Sequence, residues 1–469
     1  MNPEAFVQVE PIADQNKRDP RISRKTFTIF VALTVAIGGL LFGYDTAVIA
    51  GAILFVREQF HLSPGQTELA VSVALAGALV GAAVAGYLGD RLGRKTILTY
   101  TAVFYGVFAL GTGMANGFTL FLVARFLIGT AVGASSMLTP LYIAELAPVA
   151  IRGALVTLNQ LAITIGVVAA FYVDYHFAAT GNWRWMFMSA VIPAVILLIG
   201  LAFLPETPRW LATRQRFDEA WKILLRIETP AEAERNMKEL RQVIQTDQLG
   251  FRELFSKRFS KPLVAGIGLA IFQQITGINT IIYYAPTIFQ MAGFQSASSA
   301  ILATFGAGLV ALATTVLSLI LVDRVGRRPL LLVSIAGMTV VLVHLGLLLG
   351  TAHPSRVAVV VDIMAYVFAF DIGLGPVFWL LISEIYPTTA RGQAMSLATV
   401  AIWGSDFLVT ETFLTLVGHV GLRGSFLLFA ALCVAAFVFT YYMIPETKGR
   451  TLEEIESSWI AKPAEPEDL

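Results

Sequence analysis

The sequence predicts an all-α membrane protein: twelve transmembrane helices in two like six-helix bundles, with a cytosolic helical segment between them. Three observations carry that expectation. Mean hydropathy is +0.72, with 56% hydrophobic and 14% charged residues, a balance foreign to soluble globular chains. The 469 residues divide into twelve apolar runs, each long enough to span a bilayer, which takes about 20 residues. Finally, short charged strings in the first half return in the second, the mark of a transporter built from internal repeats. Gly89-Asp90-Arg91-Leu92-Gly93-Arg94-Lys95 returns as Val322-Asp323-Arg324-Val325-Gly326-Arg327-Arg328. Glu145 and Arg152 return as Glu384 and Arg391, and Pro205-Glu206-Thr207 as Pro445-Glu446-Thr447.

The first 26 residues are polar and carry Lys17, Arg18, Arg21, Arg24 and Lys25 with no apolar core, so they read as a cytosolic tail and not a signal peptide. The first bundle, 27–204, holds runs 27–55, 67–89, 96–116, 118–143, 154–177 and 185–204. These runs do not alternate polar with apolar residues, which excludes barrel strands and leaves helices. Pairs such as Gly77 and Gly81, or Gly129 and Gly133, fall at helical spacing and mark close helix packing. The stretch 205–261 is the one sizeable polar segment; Phe217, Ala220, Trp221, Leu224 and Leu225 recur at helical spacing, predicting amphipathic helices on the inner membrane face. The second bundle, 262–444, holds runs 262–290, 298–322, 329–351, 356–383, 391–417 and 421–444, and 445–469 forms a second cytosolic tail.

Two of these runs are broken. In 262–290, Gln274 and Asn279 would lie about 140° apart on an unbroken helix. Thr276-Gly277 between them, with Pro286 beyond, predicts a discontinuous helix whose freed backbone borders a cavity. Gly373-Leu374-Gly375-Pro376 predicts the same device ahead of Trp379.

Basic residues set the orientation. Of 33 Lys and Arg, 28 fall in the tails and in the loops after even-numbered spans; Arg57, Arg184, Arg356 and Arg423 fall on the other side, and Arg125 lies inside a span. The positive-inside rule therefore puts both termini in the cytosol. A net charge of +1 points to no nucleic-acid partner. A lone cysteine, Cys433, excludes an internal disulfide and a cysteine metal site, and the five His form no ligand spacing. No phosphate-binding glycine loop occurs, so no nucleotide chemistry, no cofactor, no metal and no enzymatic reaction are expected. The chain has no Asn-x-Ser/Thr acceptor, which with its short outer loops suits a bacterial inner membrane.

On these motifs the chain resembles the sugar porters of the major facilitator superfamily, the group of the glucose facilitators and the bacterial sugar–proton symporters. It is closest in pattern to symporters such as the xylose–proton symporter. The resemblance runs nearly the whole length. It rests on Arg91-Leu92-Gly93-Arg94-Lys95, Pro205-Glu206-Thr207-Pro208-Arg209-Trp210 and Gln273-Gln274-Ile275-Thr276-Gly277-Ile278-Asn279. It rests also on Asp323-Arg324-Val325-Gly326-Arg327-Arg328 and Pro445-Glu446-Thr447-Lys448-Gly449-Arg450-Thr451. It implies a central cavity opened to either side in turn, a sugar and a proton as partners within the lipid bilayer, and function as a monomer.

The resemblance also assigns roles. Gln160, Gln273, Gln274, Asn279, Trp379 and Trp403 align with sugar-binding positions, and Tyr283 and Tyr284 with the outer gate. Amides that donate and accept, beside an aromatic face, suit a sugar on chemical grounds too. The chain departs from the family at Val167, Ala311 and Ile402, which stand where polar residues are usual; Asp371 stands where glucose facilitators have a Glu, and Asp406 lies deep in its span. The substrate is therefore open among a pentose, a hexose and a cyclic polyol. Asp45 and Arg125 fall at similar depth in the outer half of their spans, and the resemblance makes Asp45 the proton-coupling carboxylate. Arg91, Arg94, Glu145, Arg152, Glu206, Arg209, Asp323, Arg324, Arg327, Glu384, Arg391 and Glu446 are expected to form a charge network between the bundles when the inner side shuts. The reading is proton-coupled symport of a monosaccharide. The alternatives are facilitated uniport, proton-coupled polyol or inositol transport and, remotely, a sugar sensor that does not transport.

Overall fold

In a computed structural model, residues 24–148, 152–245, 254–256, 259–386, 391–450, 454–455 and 459 are described. Helices dominate them and no strand occurs among them. The first half contains α1 (Arg24–Gln59), α2 (Pro64–Leu92), α3 (Arg94–Gly113), α4 (Phe118–Leu146), α5 (Arg152–Ala178), and α6 (Trp183–Met188) with α7 (Val191–Ala202), which together form one crossing. Between the halves lie α8 (Pro208–Thr213), α9 (Phe217–Ile227) and α10 (Pro230–Gln245). The second half contains α11 (Ser260–Ile275) continued by α12 (Ile278–Met291), α13 (Ala297–Val325), and α14 (Arg327–Leu349). It ends with α15 (Arg356–Asp371) continued by α16 (Leu374–Ile385), and α17 (Arg391–Met443).

Eleven helical stretches are long and apolar enough to cross a membrane among the described residues. The last is 52 residues long and breaks at Gly421, where φ is 70° and ψ 171°, so it makes two crossings and the total is the expected twelve. Side chains such as Val80, Ile192, Ile199, Val333 and Val340 stay exposed around the outside, where lipid replaces water as solvent.

Local chemistry sets several ends. Ser63 Oγ accepts from the Gln66 amide at 3.3 Å while Gln66 Oε1 accepts from the Ser63 amide at 2.9 Å, a reciprocal cap with Pro64 opening α2. Small residues decide which helices touch. A Cβ on Gly77 or Gly81 would strike the Phe126 or Thr130 carbonyl, and one on Gly129 or Gly133 the Ala74 or Ala78 carbonyl. α2 and α4 therefore meet backbone to backbone, the close approach that glycine permits in membranes. In α9 the buried side chains are Ala220, Ile223, Leu224 and Ile227, one amphipathic face as expected.

The repeated motifs build one unit twice. Glu206 Oε1 accepts from the Lys95 backbone amide at 3.0 Å, at the first turn of α3. Glu446 accepts from the Arg327 and Arg328 amides, both at 3.1 Å, at the first turn of α14. A carboxylate at a helix N-terminus satisfies orphan N–H groups and opposes the positive dipole end. The preceding glycines, Gly93 and Gly326, leave room for it, since a Cβ on either would collide with the Glu206 or Glu446 carboxylate. Behind each cap an arginine ties two helices together. Arg94 pairs with Asp90 at 2.7 Å and Glu145 at 3.3 Å; Arg327 pairs with Asp323 at 3.2 Å and Glu384 at 3.0 Å. All of this lies on one face of the molecule, the motif face.

Candidate functional site

A cavity sits between the halves, walled by α1, α5, α11, α12, α13, α15, α16 and α17. Of the residues expected to bind substrate, Gln160, Gln273, Gln274, Asn279, Trp379 and Trp403 all line it. Tyr283, Asp371 and Asp406 line it too, as do the three apolar departures Val167, Ala311 and Ile402.

The helix break explains how the amides meet. α11 ends at Ile275, Gly277 takes φ 95° and ψ 12°, and α12 starts at Ile278. That left-handed turn, open to glycine, rotates Asn279 toward Gln274 until Asn279 Nδ2 donates to Gln274 Oε1 at 2.7 Å. Gln274 Nε2 donates to Gln273 Oε1 at 3.3 Å. Gln273 Nε2 donates to the Leu374 and Gly375 carbonyls at 3.1 and 3.3 Å, across the second broken helix, between α15 and α16. At the other end Asn279 Nδ2 and the Tyr283 hydroxyl both donate to Asp406 Oδ2, at 2.8 and 2.9 Å, and Thr410 Oγ1 reaches Oδ1 at 3.2 Å. Both breaks predicted from sequence are thus present, and one hydrogen-bonded chain joins them.

The two tyrosines expected at the outer gate part company. Tyr283 faces the cavity and bonds Asp406. Tyr284, fully buried, turns away to donate to the Thr410 carbonyl at 3.1 Å and packs on Phe413. Successive residues on a helix do not share a face, so of the two tyrosines expected at the gate only Tyr283 lines the cavity. Trp403 is buried against Phe42, ring centroids 5.2 Å apart, and its ring N–H reaches Ser136 Oγ at 3.4 Å.

Asp45 and Arg125 pair as their depths predicted. Arg125 Nη1 lies 2.5 Å from Asp45 Oδ1, with the two side chains 1% and 4% exposed, so neither charge has water to rely on. The guanidinium also sits 5.3 Å from the centre of the Phe187 ring. A small void beside the pair is bordered by Thr46, Tyr283 and Trp403, which also wall the main cavity. The ion pair is therefore one side chain removed from the main cavity.

The expected charge network between the bundles is not what the described residues form. Arg94, Glu145 and Glu206 find partners inside the first half, Asp323, Arg327, Glu384 and Glu446 inside the second, and no ion pair among the described residues joins the halves. Arg91 is exposed and donates to Tyr87 at 3.1 Å; Arg324 and Arg209 are exposed. The side chains of Arg152 and Arg391 lie outside the described residues.

Contacts across the halves gather on the opposite, far face instead. Arg57 Nη2 donates to Gln290 Oε1 at 3.1 Å. The Thr415 amide and hydroxyl donate to Glu68 at 2.6 and 2.7 Å, and the Ser72 hydroxyl bonds Glu411. Midway, Thr164 and Thr315 hydroxyls meet at 3.3 Å. Sequence reasoning missed Glu68 and Glu411, although acidic residues inside apolar spans are themselves a signal.

With this geometry in view, comparison with known proteins gives a consistent answer. Residues 31–459 match the family model described as "Sugar (and other) transporter". The chain is 39% identical over 427 residues to a probable metabolite transport protein, CsbC, of Bacillus subtilis, covering 90% of this chain and 92% of that protein. It is 38% identical over 444 residues to the galactose-proton symporter of Escherichia coli, covering 92% of this chain and 95% of that protein. Among solved structures it is similar to the proton:xylose symporter XylE bound to a brominated glucose analogue, with a TM-score of 0.81, 34% identity, and coverage of 93% of this chain and all of that one. The chain belongs to the sugar transporter family of the major facilitator superfamily, and is a multi-pass membrane transporter.

Proposed function

We infer that the protein is a proton-coupled symporter of a monosaccharide or related polyol, working by alternating access in the cytoplasmic membrane of a bacterium. Both termini lie in the cytosol, and a single chain is the working unit. One observation carries the coupling: a buried carboxylate, Asp45, held by a single buried cation, Arg125, beside the cavity. Protonating Asp45 cancels its attraction to Arg125, so α1 and α4 become free to move relative to one another. The relatives named as proton symporters support the reading, and so does the amide and indole lining, which matches hydroxyls and the C–H face of a ring.

In this mechanism Gln160, Gln273, Gln274, Asn279, Trp379 and Trp403 hold the solute, and Tyr283 and Tyr284 belong to the outer gate. The far face is the outer one, closed here by Glu68, Glu411, Ser72 and Thr415. When the inner side shuts, Arg91, Arg152, Arg209, Arg324 and Arg391 reach across the halves to the motif-face carboxylates, while the Glu206 and Glu446 caps stay in place. The test is uptake of labelled sugar into proteoliposomes under an imposed inward proton gradient, with D-xylose, D-galactose, D-glucose and myo-inositol as candidates. Accumulation above the outside level, abolished by a protonophore, is expected. Equilibration without accumulation would make the protein a uniporter, and saturable binding without flux would make it a sensor.

A further inference from the structure

The amide chain in the cavity has a fixed direction, and that direction has a consequence for the substrate. The oxygen and nitrogen of an Asn or Gln side chain have nearly the same shape, so neighbours decide which points where. Here both ends of the chain are groups that accept. Asp406 Oδ2 takes hydrogen bonds from Asn279 Nδ2 and the Tyr283 hydroxyl, and the Leu374 and Gly375 carbonyls take them from Gln273 Nε2. Asn279 must turn its nitrogen to Asp406, and Gln273 must turn its nitrogen to the broken helix. Gln274, between them, then donates to Gln273 and accepts from Asn279, as observed.

The N–H groups are consumed by this wiring. An amide nitrogen has two hydrogens. Asn279 and Gln273 each spend both inside the protein, and Gln274 spends one. Asn279 Oδ1 keeps its lone pairs for the cavity, Asp406 Oδ1 keeps capacity beyond its bond to Thr410, and the Asp371 carboxylate lines the same space with no hydrogen bond to a described residue. Gln160 offers both kinds of group, and the Trp379 ring one N–H. Acceptors dominate.

We propose that Asp406 and the Leu374 and Gly375 carbonyls, accepting at its two ends, lock the polarity of the Gln273–Gln274–Asn279 relay, so that the cavity selects solutes that donate hydrogen bonds. The inference rests on the reading that the cavity takes a polyhydroxylated solute, and names the class within it. Such solutes are polyols with free hydroxyls, or amino sugars with an ammonium in place of one. Analogues in which fluorine replaces a hydroxyl keep the size, lose the donor and are rejected. In Asp406→Asn the side-chain oxygen still takes the Asn279 and Tyr283 donors, and an N–H stands where the carboxylate offered its second acceptor.

The test is competition against uptake of whichever of D-galactose and D-glucose the protein takes up better. The competitors are the monodeoxyfluoro and monoamino-deoxy derivatives of that sugar at each ring position. At one position or more, the fluoro compound should compete about tenfold or more weakly than the parent, because a donor lost against a buried acceptor leaves that acceptor unpaired, while the amino compound stays within about threefold. In Asp406→Asn the gap should shrink to about threefold or less. Equal competition by fluoro and amino compounds in the unmodified protein would overturn the proposal, and needs no variant to fold. An unchanged gap in a folded Asp406→Asn protein would also overturn it. Uptake of neither parent sugar would remove the hexose reading beneath it, a separate result from parent uptake with no preference among analogues.

Discussion

On the motif face every described ion pair stays within its own half, and the set occurs twice: Asp90, Arg94, Glu145 and Glu206 in one half, Asp323, Arg327, Glu384 and Glu446 in the other. The far face carries polar contacts that cross between halves and occur once, as in Glu68 with Thr415 and Ser72 with Glu411. The Asp45–Arg125 pair, deeper on that side, is likewise single. Duplicated contacts satisfy helix ends that both halves possess in any state, so they hold each bundle together as a rigid body. Single contacts across the halves exist only while that face is shut. In the proposed cycle the symmetric caps therefore stay fixed, and the single contacts across the halves are the ones that break.

The comparison breaks first at its most buried member. Arg125→Ala leaves the Asp45 carboxylate without a partner in a dry site and should cost about 3–5 kcal/mol of stability, whereas a Leu at both positions should recover most of it. Thermal unfolding in detergent reads both, and a single variant as stable as the parent would mean the pair is not buried together.

A smaller effect is expected at the far-face contacts. Glu68→Ala leaves the Thr415 amide and hydroxyl unpaired, which should shift the balance toward a far-face-open state by about 1–3 kcal/mol. Cysteine introduced at Ala74, in a Cys433→Ala background, should then react faster with an impermeant maleimide added from outside. An unchanged rate would mean this contact does not close the far face.

The smallest effects belong to the duplicated caps. Glu206→Ala and Glu446→Ala should each lose about 1 kcal/mol, nearly equally, with no change in Ala74→Cys labelling. A large labelling change from either would place the caps among the moving parts.

Much of this was legible in the sequence because the bilayer imposes it. Twelve apolar runs have one helical solution, and Thr276-Gly277 inside a run carrying Gln274 and Asn279 demanded a break, which Gly277 supplies. The depths of Asp45 and Arg125 were readable by counting residues along two spans. What could not be read was which partner each polar group takes across the halves. Glu68 and Thr415 are 347 residues apart and Ser72 and Glu411 are 339 apart, and no local pattern links them. Nor does spacing tell which of two adjacent tyrosines faces the cavity; packing on Phe413 decides that for Tyr284. The motif charges were legible only in part: fixed spacing did not reveal that Glu206 and Glu446 make the same capped helix start twice.

The central claim is that Asp45, through Arg125, couples sugar movement to protons. Asp45→Asn imitates the protonated form permanently. In proteoliposomes loaded with unlabelled sugar, the account predicts that this variant still exchanges labelled sugar, yet accumulates none under an inward proton gradient. Gradient-driven accumulation at the unmodified level by Asp45→Asn would contradict it.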